Sequence, residues 1–383
     1  MRVLYLTADP GVPVLGHKGA SVHVRELAGA LAEAGAEVHI ASPRVAFEGD
    51  DLSGPAVLHP VPGVLPKTAT AEALDGAVSG QIEAVVELAA RLEVDGIYER
   101  FSLFSVAGVH AARELGIRHV LEVNAPLREE AKRYRTLPHP LLAAFLETEV
   151  MLGTDHVLAV STPLADALAD DGVDPAKIEV LPNGVAAHRF PAPARDPARF
   201  LAGFAGSLKP WHGIETIVQA LAALPDVHLE VAGHGPLDDV LDALPADRVT
   251  RLGARPHSEV LQRMARWDVG LAPYAALERF WFSPLKVLEY MAAGACPVVS
   301  DIGDARQTLG CGERGVLVAP GDPDALASAI ALLARDRERA RTLGERARVW
   351  VGEHRSWSIN ARRVLAALSE PVASGVQPTL RVV

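Results

Sequence analysis

The sequence predicts an α/β protein made of two doubly wound domains, and three observations lead to that prediction. The chain has 383 residues, which is enough to bury two hydrophobic cores. Short apolar runs alternate with amphipathic helical stretches, which is the pattern of parallel βαβ units covered by helices on both faces. The alternation stops at the proline-rich segment 186–197 and starts again at Phe200. We therefore expect one domain on each side of this segment.

The first domain, expected over residues 1–185, is predicted from apolar strands that alternate with helical periodicity. The loops that follow its strands are the first places to search for a site, because doubly wound domains bind ligands at the carboxyl ends of their strands. Its predicted strands are 3–7, 38–41, 96–98, 119–123 and 156–160, and its predicted helices are 21–34, 81–92, 104–115, 141–152 and one capped by Thr162 and Pro163.

The second domain, expected over residues 198–355, repeats the same alternation. A last amphipathic helix is predicted within 356–370, and residues 371–383 are expected to form a tail. The predicted strands are 200–205, 227–231, 249–252, 269–272 and 297–300, and the predicted helices are 214–223, 258–265, one within 282–294 and one capped by Asp322 and Pro323.

Composition and charge exclude several classes of protein. The net charge of −11 and the pI near 5.7 argue against a nucleic-acid partner, because phosphate contacts need a basic face. Two cysteines are too few for a disulfide framework or a cysteine metal site. The sequence begins without a signal-peptide pattern and contains no apolar run long enough to span a membrane, so we expect a cytoplasmic protein.

Residues 282–294, FSPLKVLEYMAAG, are the most informative segment of the chain. Ser283 has the character of a helix N-cap, and Pro284 suits the first helical position, where its missing N–H is not needed. Gly294 stands where a glycine commonly ends a helix. The free amide groups at the helix start, around Ser283 and Leu285, would form an anion site.

Lys286 and Glu289 are predicted to project from one face of this helix, because they are three residues apart. Lys286 would add a positive charge to the anion site. Glu289 lies about one turn deeper, which is roughly the distance from the diphosphate of a nucleotide to its ribose, where a carboxylate can accept from two hydroxyl groups. The plain alternative is an amphipathic helix whose apolar residues pack on a sheet.

A loop with two glycines follows the first predicted strand. Gly16 and Gly19 stand just before the first helix, where backbone amides and the helix start can approach a phosphate or a sugar. The loop is not GxGxxG, so a dinucleotide oxidoreductase is disfavoured. An ordinary βα turn is the alternative.

The segment 282–294 resembles the donor-binding signature of retaining glycosyltransferases of family 4, in the variant S-P-L-K-x-x-E-Y of bacterial members. The resemblance implies a GT-B fold, in which two Rossmann-like doubly wound domains face a central cleft. It implies that the first domain binds the acceptor, with Gly16 and Gly19 facing the donor's diphosphate and the acceptor. The second domain would bind the nucleotide-diphosphate sugar, and the last helix would cross back onto the first domain. It also implies a reaction without metal or other cofactor, in which the nucleotide sugar is a co-substrate.

Further donor-binding residues follow from the resemblance. The loop GFAGSLKPWHG, residues 203–213, resembles the loop that grips the diphosphate, but Ser207 stands at its usual arginine and His212 at its usual lysine. Lys209 between them is the candidate phosphate contact and a catalytic candidate, and His212 would donate a second hydrogen bond. Gly233 lies in VAGHGP, which resembles the family's glycine turn near the nucleotide.

Two departures from the family pattern bear on the reaction. Trp281 stands where a glutamate usually contacts the donor sugar, so the sequence does not indicate which sugar is bound. After the strand 119–123, Asn124 stands where many members have a histidine. An asparagine can hold a hydroxyl group but cannot take its proton, so Glu122 or Glu129 is a candidate to assist it. A structural role is the alternative for Glu122.

Together these residues lead to the hypothesis of a retaining glycosyltransferase that moves a sugar from a nucleotide-diphosphate sugar to an unknown acceptor. The departing diphosphate would take the acceptor's proton, so the main task of the protein would be to stabilise the diphosphate. A sugar-nucleotide 2-epimerase of the same fold and a non-catalytic sugar-nucleotide-binding protein are the alternatives. Weak contact with an anionic membrane is a further hypothesis for residues 127–152, where basic residues precede an apolar helix, although a solvated helix is the simpler interpretation.

Overall fold

The computed structural model describes residues 1–46, 51–52, 54–65, 70–134, 136–277 and 280–372. Contacts divide the chain into two compact units, one of Met1–Pro182 with Asn360–Val383 and one of Asn183–Ile359. Each unit contains a parallel sheet with helices, which confirms the α/β class. The domain limits and domain roles given by the sequence stay predictions, and the tail lies outside the described residues except for Pro371 and Val372.

The first unit has a sheet of seven strands in its described part. They are β1 (Arg2–Thr7), β2 (Glu37–Ser42), β3 (Val57–Pro60), β4 (Gly96–Arg100), β5 (Arg118–Val123), β6 (His156–Ala159) and β7 (Ile178–Val180). All pair in parallel, in the order β3-β2-β1-β4-β5-β6-β7. The order reverses between β1 and β4, and ligands of open α/β sheets bind at the carboxyl ends of the strands beside such a switch point.

The second unit repeats this topology. Its strands are β8 (Phe200–Ala205), β9 (Val227–Ala232), β10 (Val249–Gly253), β11 (Val269–Ala272), β12 (Cys296–Ser300) and β13 (Val316–Val318). They pair in parallel in the order β10-β9-β8-β11-β12-β13, so the switch point of this unit lies between β8 and β11.

Helices connect the strands in both units. Those of the first unit are α1 (Gly19–Glu33), α2 (Ala71–Leu92), α3 (Ala107–Leu115), α4 (Leu127–Tyr134), α5 (Pro140–Gly153) and α6 (Thr162–Asp170). Those of the second unit are α7 (Ile214–Ala222), α8 (His257–Met264), α9 (Leu285–Ala292), α10 (Ala305–Thr308), α11 (Pro323–Arg335) and α12 (Arg337–His354). The last helix, α13 (Trp357–Ser369), belongs to the first unit from Asn360 onwards.

The predicted strands and helices are confirmed, with differences at their ends. The predicted helix 104–115 begins later, at Ala107, because Phe104 has a φ of 69°, which a right-handed helix does not allow. Helix α6 is capped by Ser161 and not by Thr162, which is its first residue, so that predicted cap is wrong by one position.

Three short strands and three helices are not predicted by the sequence patterns, and one of these helices, α10, has only four residues. β3, β7 and β13 each lie at an edge of their sheet, where a strand is partly exposed and its apolar pattern is weak. α4 consists mainly of charged residues. α12 buries mostly small side chains, among them Ala340, Gly344 and Ala347, which give little hydrophobic periodicity.

Tyr290 fixes α9 at the switch point of the second unit. Gly270 in β11 leaves room for its ring, since a Cβ there would lie 2.3 Å from the Tyr290 Cγ. The Tyr290 hydroxyl accepts from the amide of Ala205 at 2.9 Å and donates to the carbonyl of Leu271 at 3.3 Å. These bonds tie α9 to the carboxyl ends of both β8 and β11, so the side chains of its first turns are held beside the loops that follow those strands.

Candidate functional site

Glycines pack the loops of the second unit closely together at its switch point. Gly206 follows β8 and Gly233 follows β9, and both have a φ of 132°. A Cβ on Gly233 would lie 2.1 Å from the carbonyl oxygen of Gly206, so these two loops touch backbone to backbone. Gly213, just before α7, would bring a Cβ within 1.7 Å of the Pro273 carbonyl oxygen. Only glycine fits at these positions, and backbone atoms therefore form this part of the switch point.

The start of α9 differs from the prediction. Its N-cap is Pro284, which has no side chain that could cap the helix. Ser283 lies one residue outside, and its hydroxyl accepts from the backbone N–H of Asn183 at 3.0 Å. The prediction that Ser283 caps the helix is therefore wrong, because Asn183 binds it instead. Gly294 ends the helix as predicted, with a φ of 73°. The first turn, from Leu285, has no side-chain cap, which is the condition that an anion site at a helix start requires.

Lys286 is an unusual ionisable group of the second unit. Its Nζ atom is shielded from solvent and has no hydrogen-bond partner among the described residues. The atom lies 4.2 Å from the centroid of the Phe204 ring and 5.8 Å from that of Tyr274. A Cβ on Gly206 would lie 2.9 Å from it, so the amine points at the glycine loop after β8. Burial lowers the pKa of Lys286 to about 7, against an opposing attraction by Glu289. None of the described residues supplies a hydrogen-bond acceptor to this amine.

His212 and Lys209 lie on the same loop. The Nδ1 of His212 donates to the carbonyl of Ser207 at 2.5 Å, so the Nε2 of the neutral ring carries a lone pair. Burial and the positive charges of Lys286 and Lys209 lower the pKa of His212 to about 3, although the bond to Ser207 opposes this. The sequence predicts that His212 donates a hydrogen bond to the diphosphate of the nucleotide sugar. Such a bond from Nε2 requires that the ring first gain a proton. Lys209 is half-buried, and its Nζ lies 5.9 Å from the centroid of the Trp211 ring.

Glu289 has a partner that the sequence patterns do not indicate. Its Oε1 lies 2.7 Å from the Nε2 of His257, the first residue of α8, and its side chain is 13% exposed. A histidine that donates to one carboxylate oxygen fixes the rotation of the group. The other oxygen, Oε2, is then left to accept from a further donor.

The switch point of the first unit carries a buried carboxylate, Glu122, in β5. Its Oε2 accepts from the Nε2 of His23 at 2.9 Å and from the hydroxyl of Tyr98. Its Oε1 accepts from Arg100 at 3.1 Å and from the Nδ2 of Asn124 at 2.7 Å. Burial acts to raise the pKa of Glu122, but the attraction and hydrogen bond of His23, followed by Arg100 and Tyr98, lower it to about 2. A carboxylate with both oxygens occupied and so low a pKa is a poor base, which favours the structural interpretation of Glu122.

Glu122 also holds Asn124 in one orientation. Because an ionised carboxylate only accepts, the Nδ2 of Asn124 faces it and the Oδ1 faces away. That oxygen is buried and has no partner among the described residues. It can accept from a hydroxyl group, as the sequence predicts for Asn124. Glu129, the other candidate, lies in α4 and pairs with Lys132 at 3.1 Å, with its side chain 52% exposed.

The glycine loop after β1 is held by a residue that the sequence patterns do not single out. Arg25, buried in α1, donates to the carbonyls of Val14 and Gly16 at 2.8 Å and 2.6 Å. Gly16 is buried, and Gly19 is the exposed first residue of α1. Both glycines lie in the connection that follows β1, but their contact with a donor stays a prediction.

The predicted site residues therefore fall into two sets, one at each switch point. The first unit holds Gly16, Gly19, Glu122 and Asn124, and the second holds Lys209, His212, Gly233, Ser283, Leu285, Lys286 and Glu289. His23, Arg25 and His257 are missed, because a polar residue at a helical position has the same sequence signal as a surface residue. Within the ranges that the structure describes, no three His, Cys, Asp or Glu residues lie close enough together to hold a metal ion, and a metal-independent reaction stays a prediction.

The two sheets and the helices around them give the chain two Rossmann-like units. The family model for Glycosyltransferase Family 4 matches residues 17–189, and the model for Glycosyl transferases group 1 matches residues 199–336. The matches include both units and most of the chain. The protein belongs to the glycosyltransferases of the GT-B fold.

Curated relatives with named activities are similar over much of their length. The D-inositol 3-phosphate glycosyltransferase of Paenarthrobacter aurescens is 28% identical over 97% of each chain. The enzyme of the same name from Pseudarthrobacter chlorophenolicus is 27% identical over 78% of each chain. The phosphatidyl-myo-inositol mannosyltransferase of Mycolicibacterium smegmatis is 29% identical over 55% of each chain.

Solved structures show the same fold. Sucrose-phosphate synthase from Thermosynechococcus elongatus superimposes with a TM-score of 0.73 at 22% identity, over 96% of this chain and 100% of that one. Anabaena Alr3699/HepE in complex with UDP-glucose gives a TM-score of 0.73 at 20% identity, also over 96% and 100%. At these identities the likeness concerns the fold alone, and it confirms the predicted GT-B class.

Proposed function

We propose that this protein is a retaining glycosyltransferase whose second unit binds a nucleotide-diphosphate sugar. The observation that carries the proposal is Lys286, a shielded amine without a described partner that points at the glycine loop after β8. A buried amine of this kind is costly for the protein unless an anion joins it. A diphosphate would fit this need, because the uncapped start of α9 adds amide groups beside it.

The rest of the donor would extend along the same helix. Glu289 follows Lys286 by about one turn, and its Oε2 is available to accept from the ribose hydroxyl groups. His257 fixes the carboxylate for that contact. Lys209 would add a charge at the phosphates, and His212 would lie beside them as a neutral ring, so its hydrogen bond to the phosphates stays a prediction from the sequence.

The acceptor would be bound in the first unit through a hydroxyl group. The Oδ1 of Asn124 can accept from such a group but repels an anion. The named relatives act on inositol phosphate or on phosphatidylinositol, which present ring hydroxyl groups. We propose a polyol or sugar acceptor, one of whose hydroxyl groups would react with the donor sugar.

In the transfer reaction, the departing phosphate of the donor would act as the base. The acceptor oxygen forms the new bond to the anomeric carbon while the bond from that carbon to the phosphate oxygen breaks. The acceptor's proton passes to the departing phosphate oxygen on the same face of the sugar, so the configuration is retained. In this proposal Glu122 would not take the proton, and the hydrogen bonds to both its oxygens support that assignment. The contribution of the protein is to stabilise charge on the diphosphate.

A two-step experiment tests the proposal. Thermal shift with UDP-glucose, UDP-N-acetylglucosamine and GDP-mannose should show stabilisation by one nucleotide class. The protein is then incubated with that donor and myo-inositol, inositol phosphate or monosaccharides, and the product's anomeric configuration is read by NMR. A retained linkage supports the proposal. An inverted linkage contradicts retention, epimerisation without acceptor supports the 2-epimerase alternative, and stabilisation without any turnover supports the non-catalytic one.

We also propose weak contact of α5 with a membrane surface. Leu141, Phe145 and Leu152 are spaced along one side of this helix and are exposed, Leu141 by 87%. Basic charge contributes little, because Lys132 pairs with Glu129. No helix of the described residues is long and apolar enough to span a membrane. In vesicle flotation, wild type should float with phosphatidylcholine vesicles and the double variant Leu141→Ser, Phe145→Ser should not; failure of wild type to float would contradict the contact.

A further inference from the structure

The amine of Lys286 is surrounded by groups that leave its charge uncompensated. On its own helix, Glu289 is the one carboxylate nearby, and His257 of α8 already binds one of its oxygens at 2.7 Å. On the loop after β8, His212 is neutral and its Nδ1 proton is used by Ser207. Beyond β11, Tyr274 presents its ring to the amine. Among the described residues, Glu289 is the charged group that acts most on the pKa of Lys286, and its attraction opposes the effect of burial.

We propose that donor binding is coupled to proton uptake by Lys286, so that at neutral pH the free site holds this side chain partly as a neutral amine and the bound site holds it as an ammonium ion. The inference rests on the proposed function, since it concerns the same diphosphate. It adds that the site takes a proton from solvent when the donor arrives and returns it when the nucleoside diphosphate leaves. No bond to carbon is made or broken in this step.

The geometry accounts for the change in charge. In the free site the amine lies over Phe204 and has no hydrogen-bond acceptor among the described residues, so the charged form is the costly one. A diphosphate beside Gly206 would bring two negative charges to the Nζ atom, and the attraction of opposite charges within hydrogen-bond distance favours the ammonium form. Donor and proton therefore help each other to bind, which is a reciprocal coupling.

The direction of the pH dependence follows from the pKa of about 7 for Lys286 in the free site. At lower pH the side chain already carries its proton, and donor affinity is constant. At higher pH the proton must be supplied with the donor, and affinity falls towards about tenfold per pH unit. The dissociation constant should therefore be about tenfold larger at pH 8 than at pH 6.

Isothermal titration calorimetry tests the coupling with UDP-glucose and GDP-mannose as probes. Both phosphates of such a nucleotide sugar stay ionised across this pH range, so the probe itself takes up no proton. Titrations in phosphate and in Tris, whose ionisation enthalpies differ, give the number of protons bound. We expect about half a proton per donor at pH 7 and close to one at pH 8.

Variants assign the proton to its residue. Lys286→Met should bind the donor more weakly, without proton uptake and with a flat pH profile. Lys209→Met, the matched lysine of the neighbouring loop, should also weaken binding but keep both the slope and the uptake. Uptake that survives in Lys286→Met would overturn the proposal and point to His212 or His257. If wild type binds the donor with an affinity that does not depend on pH, the coupling alone is overturned. If none of UDP-glucose, GDP-mannose and UDP-N-acetylglucosamine binds, the proposed function is overturned as well.

Discussion

One buried ionisable group lies near the switch point of each unit, and the surroundings of the two groups differ in their hydrogen bonds. Glu122, beside the switch point of the first unit, has four side-chain partners, and they lower its pKa to about 2 in spite of its burial. Lys286, beside the switch point of the second unit, has no described hydrogen-bond partner, and burial lowers its pKa to about 7. A charge that the protein compensates by itself holds the fold together. A charge that it leaves uncompensated is available for a ligand.

Removing the amine of Lys286 should give the largest functional effect. We expect Lys286→Ala to lower kcat/KM for the donor by about 10²–10³, the range found when one group that stabilises transition-state charge is lost. The measurement is steady-state transfer with the donor found by thermal shift. Lys132→Ala serves as the matched control, since Lys132 is 46% exposed and lies in the first unit. Equal activity of the two variants would mean that Lys286 does not contact the diphosphate.

Removing the charge of Glu122 should instead act on folding. Glu122→Gln leaves His23 and Arg100 without their buried carboxylate, so we expect a loss of about 3 kcal/mol in the free energy of unfolding. Because the pKa of Glu122 is depressed in the folded state, its stabilisation is present above about pH 4.5 and disappears as the pH falls towards 2. Urea unfolding at both ends of this range measures the effect, with the exposed Glu129→Gln as control. If Glu122→Gln keeps its stability but loses glycosyl transfer, Glu122 is a catalytic residue and not a structural one.

A third substitution tests whether Lys286 costs the folded protein stability. Lys286→Met replaces the shielded amine with an apolar group of similar length, and we expect it to raise the free energy of unfolding by about 2 kcal/mol at pH 7. The folded-state pKa of about 7 lies below the ordinary value of 10.5, so the cost is complete below pH 7 and fades as the pH rises towards 10.5. Denaturation of both proteins at about pH 7 and pH 10 should show that the difference between their free energies of unfolding is smaller at pH 10. A variant less stable than wild type at pH 7 would show that the amine is compensated after all.

The sequence predicts which residues lie together on one helix. It does not predict the contacts that these residues make with parts of the chain far away in the sequence. Spacing along one helix is enough to place Lys286 and Glu289 together, because helical periodicity depends only on neighbours in the chain. The burial of the amine depends on Phe204 and Gly206, which are far away in the sequence. The cap at Ser283 is wrong for the same reason, since Asn183 binds its hydroxyl from another part of the unit.

In the first unit, too, the sequence locates the key residue but does not reveal its partners. Glu122 and Asn124 are correctly placed at the end of a strand, and their side chains share one face. The partners that occupy the oxygens of Glu122 come from other elements: His23 from α1, and Tyr98 and Arg100 from β4. A sequence pattern can therefore mark a carboxylate as a candidate base, whereas only the fold shows that its oxygens are already occupied.

Glu289 provides an intermediate case and the smallest expected effect. Among the described residues, His257 binds one oxygen of its carboxylate, and the other oxygen is the one proposed to accept from the ribose. We expect Glu289→Gln to weaken nucleotide binding by about tenfold, or about 1.4 kcal/mol, and His257→Asn to weaken it less, because the carboxylate is then present but free to rotate. Calorimetry with UDP or GDP, compared with inorganic pyrophosphate, locates the effect, with the exposed Glu259→Gln of α8 as control. Since pyrophosphate lacks a ribose, its binding should change less than that of UDP in Glu289→Gln, and the change expected is the loss of the attraction between Glu289 and Lys286. An equal loss for both ligands would place Glu289 at the phosphates, where it would act on the charge of Lys286 instead of on the sugar of the nucleotide.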